Sequence, residues 1–205
     1  MSVIDIIRKR DFVAASEYIK ERTGNVNIIL SFAISGNDHE MIQWAYRNGA
    51  KPHPYSLVFL QGDCNHTLFL LTQNGVNVNK TEKQLPHGAL YHHMANGNTE
   101  AVCALSAFVD CSVLFDDKTF PIHKAASTGN LEMVKALCEN SNGDPDLKDR
   151  MGRNALHYAA QAVSMDVYEY LVKKNCDTHL VDILGQTPDS ILLDEVCKMS
   201  EKLKS

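Results

Sequence analysis

The sequence predicts an all-α protein built from stacked helix-turn-helix pairs, and an internal repeat with a period near 33 residues is the main reason. Residues 97–105 match residues 129–137 at six of nine positions, with an offset of 32. Within the repeat, apolar residues such as Met133, Val134 and Leu137 recur at helical spacing. Self-similarity at this period is the signature of a repeat architecture, so the chain is expected to form a solenoid.

Two further segments repeat with nearly the same period. Residues 121–126 match residues 155–160 at an offset of 34, and residues 149–152 match residues 182–185 at an offset of 33. Three separate segments therefore converge on one repeat length.

The repeat resembles the ankyrin repeat, and the best copies are residues 116–148 and 149–181. In the second copy the matching positions are Asp149, Gly152, Ala155, Leu156, His157, Ala159, Ala160 and Leu171. The resemblance implies an ankyrin-repeat solenoid of helix-turn-helix pairs, with short β-hairpin fingers mainly in the C-terminal half. It also implies that His123 and His157 are structural histidines that bond to the backbone of neighbouring turns.

The spacing of helix ends divides the predicted domain, which covers residues 1–205. Gly24, Gly49 and Gly75 each follow an apolar helical stretch, and the gaps of 25 and 26 residues are too short for a full repeat. Glycine suits these ends because it adopts left-handed backbone freely. We therefore expect finger-less helix pairs over about 1–76 (1–25, 26–50 and 51–76), fingered repeats over about 77–181, and a C-terminal capping unit at 182–205.

Composition and charge limit the partner classes. The net charge of −5 lacks the basic footprint that nucleic-acid binding requires, so no nucleic-acid partner is expected. No apolar stretch is long enough to span a membrane, and residues 1–7 do not form a signal peptide. Six widely spaced cysteines without a C-x-x-C motif indicate reduced thiols. These features predict a cytoplasmic protein, with the nucleus or a host cytosol as alternatives.

The nine histidines do not form a recognisable metal or catalytic motif. His92 and His93 are adjacent, so on a helix they point about 100° apart. A zinc site from Cys64, His66 and His87 together with His92 would need tertiary convergence that a linear repeat does not readily supply. The sequence also lacks the glycine-rich and nucleophile motifs of common enzymes. We therefore expect no metal, no cofactor, no small-molecule substrate and no catalytic residues.

The resemblance places partner contacts at finger tips and at the exposed ends of first helices. The candidate contact residues are Gln84, Leu85, His87, Asp116, Asp117, Thr119, Ser127, Thr128, Arg150, Met151, Arg153, Gln161, Ile183, Leu184 and Gln186. Among them Leu85, Met151 and Leu184 stand out, because an apolar residue at each successive finger tip is unusual on a bare surface. Asn79 lies in a segment, 75–79, that resembles the ankyrin site of asparagine hydroxylation.

These features favour a non-enzymatic protein–protein interaction module, an adaptor or scaffold that binds a protein partner. Two alternatives use the same surface. One is a regulatory or inhibitory subunit of an enzyme or transcription factor, and the other is a microbial effector acting on host proteins.

Overall fold

A computed structural model describes residues 2–21, 25–81, 85, 87–115, 117–139 and 143–202. The chain divides into two compact units, residues 1–108 and 109–205, and each has its own buried apolar core. Over the described residues the regular elements are all helices. The predicted all-α class is therefore confirmed.

The N-terminal unit is a stack of short helix pairs. First helices pack on one another in sequence, α1 on α3, α3 on a 3₁₀ helix and the 3₁₀ helix on α6, while α4 packs on α5 and α5 on α7. The elements are α1 (Val3–Arg8), α2 (Phe12–Glu21), α3 (Val26–Ser35), α4 (His39–Arg47), the 3₁₀ helix (Pro54–Phe59), α5 (Asn65–Gln73), α6 (Gly88–Ala95) and α7 (Thr99–Ser106).

Local sequence explains where these helices begin and end. The Asp38 side chain caps α4 by accepting a hydrogen bond from the Met41 amide at 3.1 Å. Gly49 and Gly75 have φ angles of 91° and 88°, the left-handed backbone that their positions after α4 and α5 predicted. Pro54 begins a 3₁₀ helix where an ordinary first helix was expected.

The C-terminal unit repeats the same two-layer packing. Helix α10 packs between α8 and α12, and α9 packs on α11. The elements are α8 (Pro121–Thr128), α9 (Leu131–Glu139), α10 (Ala155–Gln161), α11 (Met165–Lys173) and α12 (Pro188–Lys202). Small buried residues at Ala125, Ala126, Ala159 and Ala160 let neighbouring first helices approach closely.

The predicted β-hairpin fingers are tight turns rather than strand ladders in the described part of the C-terminal unit. The turns are closed by backbone hydrogen bonds from Phe115 to Thr119 at 2.8 Å and from Asp149 to Arg153 at 3.0 Å. A third closes from the Asp182 amide to the Gln186 carbonyl at 2.9 Å. Inside these turns the carboxylates of Asp149 and Asp182 each accept hydrogen bonds from two backbone amides, and that of Asp117 accepts one from the Thr119 amide. The short β-hairpin fingers of the sequence prediction are therefore not confirmed as strands in the described residues.

None of the helices within the described ranges combines the length and the apolar character that crossing a membrane requires.

Candidate partner-binding surface

Two finger tips in the C-terminal unit are built in the same way around an aspartate. One carboxylate oxygen of Asp149 accepts hydrogen bonds from the amides of Met151 and Arg153, both at 2.8 Å. The equivalent oxygen of Asp182 accepts from the amides of Leu184 and Gln186 at 2.8 and 3.0 Å. Each tip is therefore held in one conformation by its own first residue.

The two tips are also joined directly. The Ile183 amide donates to the Met151 carbonyl at 2.9 Å, and Arg153 Nε donates to Asp182 Oδ2 at 3.0 Å. The Asp182 side chain is 0% exposed and that of Arg153 is 19% exposed, so this ion pair is largely shielded from water. Burial raises the pKa of Asp182, but the Gln186 amide, the Arg153 guanidinium and the Leu184 amide outweigh it and hold the pKa below 3.8.

His123 and His157 lie behind these tips and bond to loop backbone. His123 Nδ1 accepts from the Phe120 amide at 3.3 Å, and Nε2 donates to the Leu147 carbonyl at 2.8 Å. The His157 ring lies with Nε2 3.3 Å from the Gln186 carbonyl. Burial lowers the pKa of both histidines below 6.5. These contacts are those that a structural role requires.

We define the fingertip surface as Met151, Arg153, Ile183, Leu184 and Gln186, five of the predicted contact residues that the two joined turns bring together. Ile183 and Leu184 are 66% and 63% exposed, although both are large apolar residues. Met151, Arg153 and Gln186 are half-buried beside them. The surface thus combines a fixed backbone with exposed apolar side chains.

Other predicted contact residues flank this surface or make local bonds. Arg150 is exposed on the first tip, and Gln161 is exposed at the end of α10. The hydroxyls of Ser127 and Thr128, also exposed, donate to carbonyls of their own helix at 2.8 and 2.7 Å. The Asp117 carboxylate also makes local hydrogen bonds, which it accepts from the amide and the hydroxyl of Thr119.

The expectation that Leu85 is an exposed finger-tip residue is wrong, because its side chain is 4% exposed. Its carbonyl accepts the Gly88 amide at 3.1 Å, and its apolar side chain is part of the buried core of the N-terminal unit. His87 is half-buried, with its ring 4.6 Å from that of Tyr91. Both residues belong to the N-terminal unit, separate from the fingertip surface. Gln84 and Asp116 lie outside the described residues.

A depression of about 100 Å³ adjoins the fingertip surface in the C-terminal unit. It is lined by Arg153, Gln161, Gln186, Ile191, Asp194, Glu195 and Lys198. The first three were predicted contact residues, whereas the four from α12 were not. Their spacing of three, four and seven residues places them on one helix face, but only the packing of α12 on α10 reveals that this face borders the tips.

The described residues contain no group of three or more histidine, cysteine or acidic side chains arranged to hold a metal ion. Burial raises the pKa of the Cys64, Cys111 and Cys138 thiols to about 11. These thiols are therefore protonated and weakly nucleophilic at neutral pH. Asn79 is exposed, and its hydroxylation stays a prediction.

Comparison with known proteins identifies the repeat. The family model described as ankyrin repeats, in three copies, matches residues 90–182. Interferon antagonist OPG039 of Monkeypox virus and Interferon antagonist OPG040 of Vaccinia virus (strain Western Reserve) are each similar to this chain, at 34% identity over 89 residues. That segment is 43% of this chain and 31% of each viral protein, so the chain spans about a third of the length of these relatives.

An L-asparaginase of Dirofilaria immitis is 42% identical over 79 residues, which make up 38% of this chain and 12% of that enzyme. So short a share of the enzyme carries no argument for its activity here. Ankyrin repeats are in general a non-enzymatic fold that presents a binding surface to proteins. Residues 90–182 of this chain therefore carry ankyrin repeats, and these repeats indicate a protein–protein interaction module.

Proposed function

We propose that this chain is an adaptor or scaffold that captures a protein partner on the fingertip surface of its C-terminal unit. The observation that carries the proposal is the exposure of Ile183 and Leu184 on a turn whose backbone is fixed by Asp182. Exposed apolar side chains on a rigid backbone favour binding, because little conformational freedom is lost when they are covered. The half-buried Met151 and Arg153 belong to residue types that are enriched at protein interfaces.

The chemistry of the surroundings favours a protein partner over nucleic acid. The chain carries a net charge of −5, and the depression beside the tips presents Asp194 and Glu195. Phosphate backbones require clusters of unpaired basic groups, but here Arg153 and Lys198 pair with Asp182 and Glu195. We further propose that residues 1–205 form a single ankyrin-repeat domain and that the chain works in a reducing compartment such as the cytoplasm, which suits its six widely spaced cysteines.

The double variant Ile183→Asp, Leu184→Asp tests this function. We expect capture of the partner to weaken about 100-fold or more, because two apolar contacts are replaced by solvated charges. Affinity capture from cell lysate followed by mass spectrometry measures the effect. Proteins of interest are those retained by the parent chain and lost by the variant.

Leu193→Asp, Val196→Asp on α12 is the matched control, since these apolar residues are also exposed in the same unit. The control should keep the captured proteins. If both double variants retain the same proteins, the fingertip surface is not the binding site. Circular dichroism of each variant checks that the fold is intact.

A second candidate function is inhibition of a host protein, and the similarity to two viral interferon antagonists favours it. It uses the same surface, so an assay of the captured partner's own activity separates the two functions. An adaptor leaves that activity unchanged at saturation, whereas an inhibitor abolishes it. An interferon-response reporter in cells expressing the chain addresses the viral case directly.

A further inference from the structure

The finger at 182–186 uses only one of its two edges to contact its neighbour. On that edge the Ile183 amide donates to the Met151 carbonyl, and the Asp182 carboxylate accepts from Arg153. The repeat offset of 33 residues places Leu184 where Met151 stands and Gln186 where Arg153 stands. We call the far edge of this finger the open edge. It offers a backbone carbonyl, that of Leu184, and a side-chain donor, that of Gln186. The finger at 149–153 offers the same two kinds of group to its neighbour through Met151 and Arg153.

The groups of the open edge are unused within the described part of the chain. There, no amide or side chain donates to the Leu184 carbonyl, and the Gln186 side-chain amide makes no hydrogen bond. Ile183 and Leu184 belong to this same finger and are exposed. An edge with unpaired backbone groups and apolar side chains is a template for pairing with another segment.

We propose that the open edge binds a turn of the partner protein that is built like the chain's own fingers, which deepens the function proposed above and rests on it. The partner turn carries an aspartate, an apolar residue directly after it, and a glycine three positions after the aspartate. The chain's own finger at 182–185 has this pattern, while the finger at 149–152 shares the aspartate and the glycine but has Arg150 directly after the aspartate. Gly152 and Gly185 have φ angles of 75° and 78°.

Each group of such a turn has a counterpart on the open edge. The amide of its apolar residue donates to the Leu184 carbonyl, as Ile183 does to Met151. Its aspartate accepts from the Gln186 side-chain amide, as Asp182 accepts from Arg153. Its apolar side chain covers Ile183 and Leu184. The interior of a partner helix fits this edge less well, because its amides are already bonded within the helix.

Residue 186 gives a graded test of this binding mode. The probe is a peptide with the sequence of residues 181–187, Val-Asp-Ile-Leu-Gly-Gln-Thr, closed by a disulfide between one cysteine added at each end, and it is added to the ¹⁵N-labelled full chain. Gln186→Arg should bind the peptide roughly 5- to 10-fold more tightly than the parent, because a charge-assisted bond to the peptide's aspartate replaces a neutral one. Gln186→Glu should bind it at least 5-fold more weakly through like-charge repulsion.

Two further readouts identify the edge itself. Amide shifts should concentrate at residues 183–186, and a peptide N-methylated at its isoleucine should bind about 5-fold more weakly, because it lacks the donor for Leu184. The proposal would be overturned if the parent, Gln186→Arg and Gln186→Glu all bound the peptide with equal affinity. Amide shifts centred on α12 would overturn it as well. Self-association of the chain that the peptide displaces would also overturn it, since the occupant would then be a second copy.

The failure of this inference can be distinguished from the failure of the proposed function. If Ile183→Asp, Leu184→Asp loses the captured proteins while affinity for the peptide does not depend on residue 186, the surface binds a partner by another mode. If that double variant keeps the captured proteins, the proposed function itself is wrong.

Discussion

Replacing Asp182 with alanine is expected to lower the free energy of unfolding of the C-terminal unit by about 3 kcal/mol. The carboxylate is buried and accepts hydrogen bonds from two amides of its own turn and from Arg153. Its removal leaves the guanidinium of Arg153, whose side chain is 19% exposed, without its partner. Removing one member of a buried pair costs more than the pair contributes, because the remaining charge stays desolvated.

Hydrogen exchange of peptides from residues 143–202 measures this loss within the unit that carries the change. The only tryptophan, Trp44, lies in the N-terminal unit, so its fluorescence is not a suitable probe. Asp194→Ala is the control, because it removes an exposed carboxylate from the same unit. Equal exchange in Asp182→Ala and Asp194→Ala would show that the carboxylate does not hold the two tips together.

The stability of the chain is expected to fall as pH decreases below about 6.5, and His123 and His157 should account for much of the slope. Burial lowers the pKa of each histidine in the folded state relative to the unfolded value of 6.5. Below that value the unfolded state binds more protons, so stability is complete above pH 6.5 and is lost as pH falls through the folded pKa. Once His123 is protonated, its Nδ1 atom can no longer accept the hydrogen bond from the Phe120 amide.

The double variant His123→Gln, His157→Gln should flatten this dependence, because glutamine does not titrate. Urea unfolding followed by circular dichroism between pH 7.5 and 5 measures how the free energy of unfolding changes with pH. This slope can be compared between chains that differ in absolute stability. Part of the slope should remain, since burial also lowers the pKa of His93 in the N-terminal unit. His179→Gln, at an exposed position, serves as the control. A double variant with the parent slope would contradict this explanation.

The parts of the fold predicted well are those that depend on local sequence. Glycine at positions 49 and 75 ends a helix because the chain needs left-handed backbone there, and this requirement is readable from the residue type. The repeated aspartate and glycine of 149–152 and 182–185 likewise predicted two turns of one kind. The helical class follows from the same repeat.

The parts predicted badly depend on tertiary contacts. Leu85 stands at a position where an exposed tip was expected, but its side chain is buried in the core of the N-terminal unit. Inside the turns at 149–153 and 182–186 an aspartate carboxylate accepts two backbone amides, a detail of side-chain geometry that the residue pattern does not give. The depression beside the tips depends on how α12 packs on α10, so the position of its carboxylates Asp194 and Glu195 could not be predicted from local sequence.

The most direct test of the fingertip surface is hydrogen exchange of the full chain with and without the captured partner. Binding should slow exchange at the amides of 149–153 and 182–186, while the exposed α12 segment from Leu193 to Met199 keeps its free-state rates. Protection of α12 or of the N-terminal unit, with unchanged exchange at both finger turns, would contradict the assignment of partner binding to this surface.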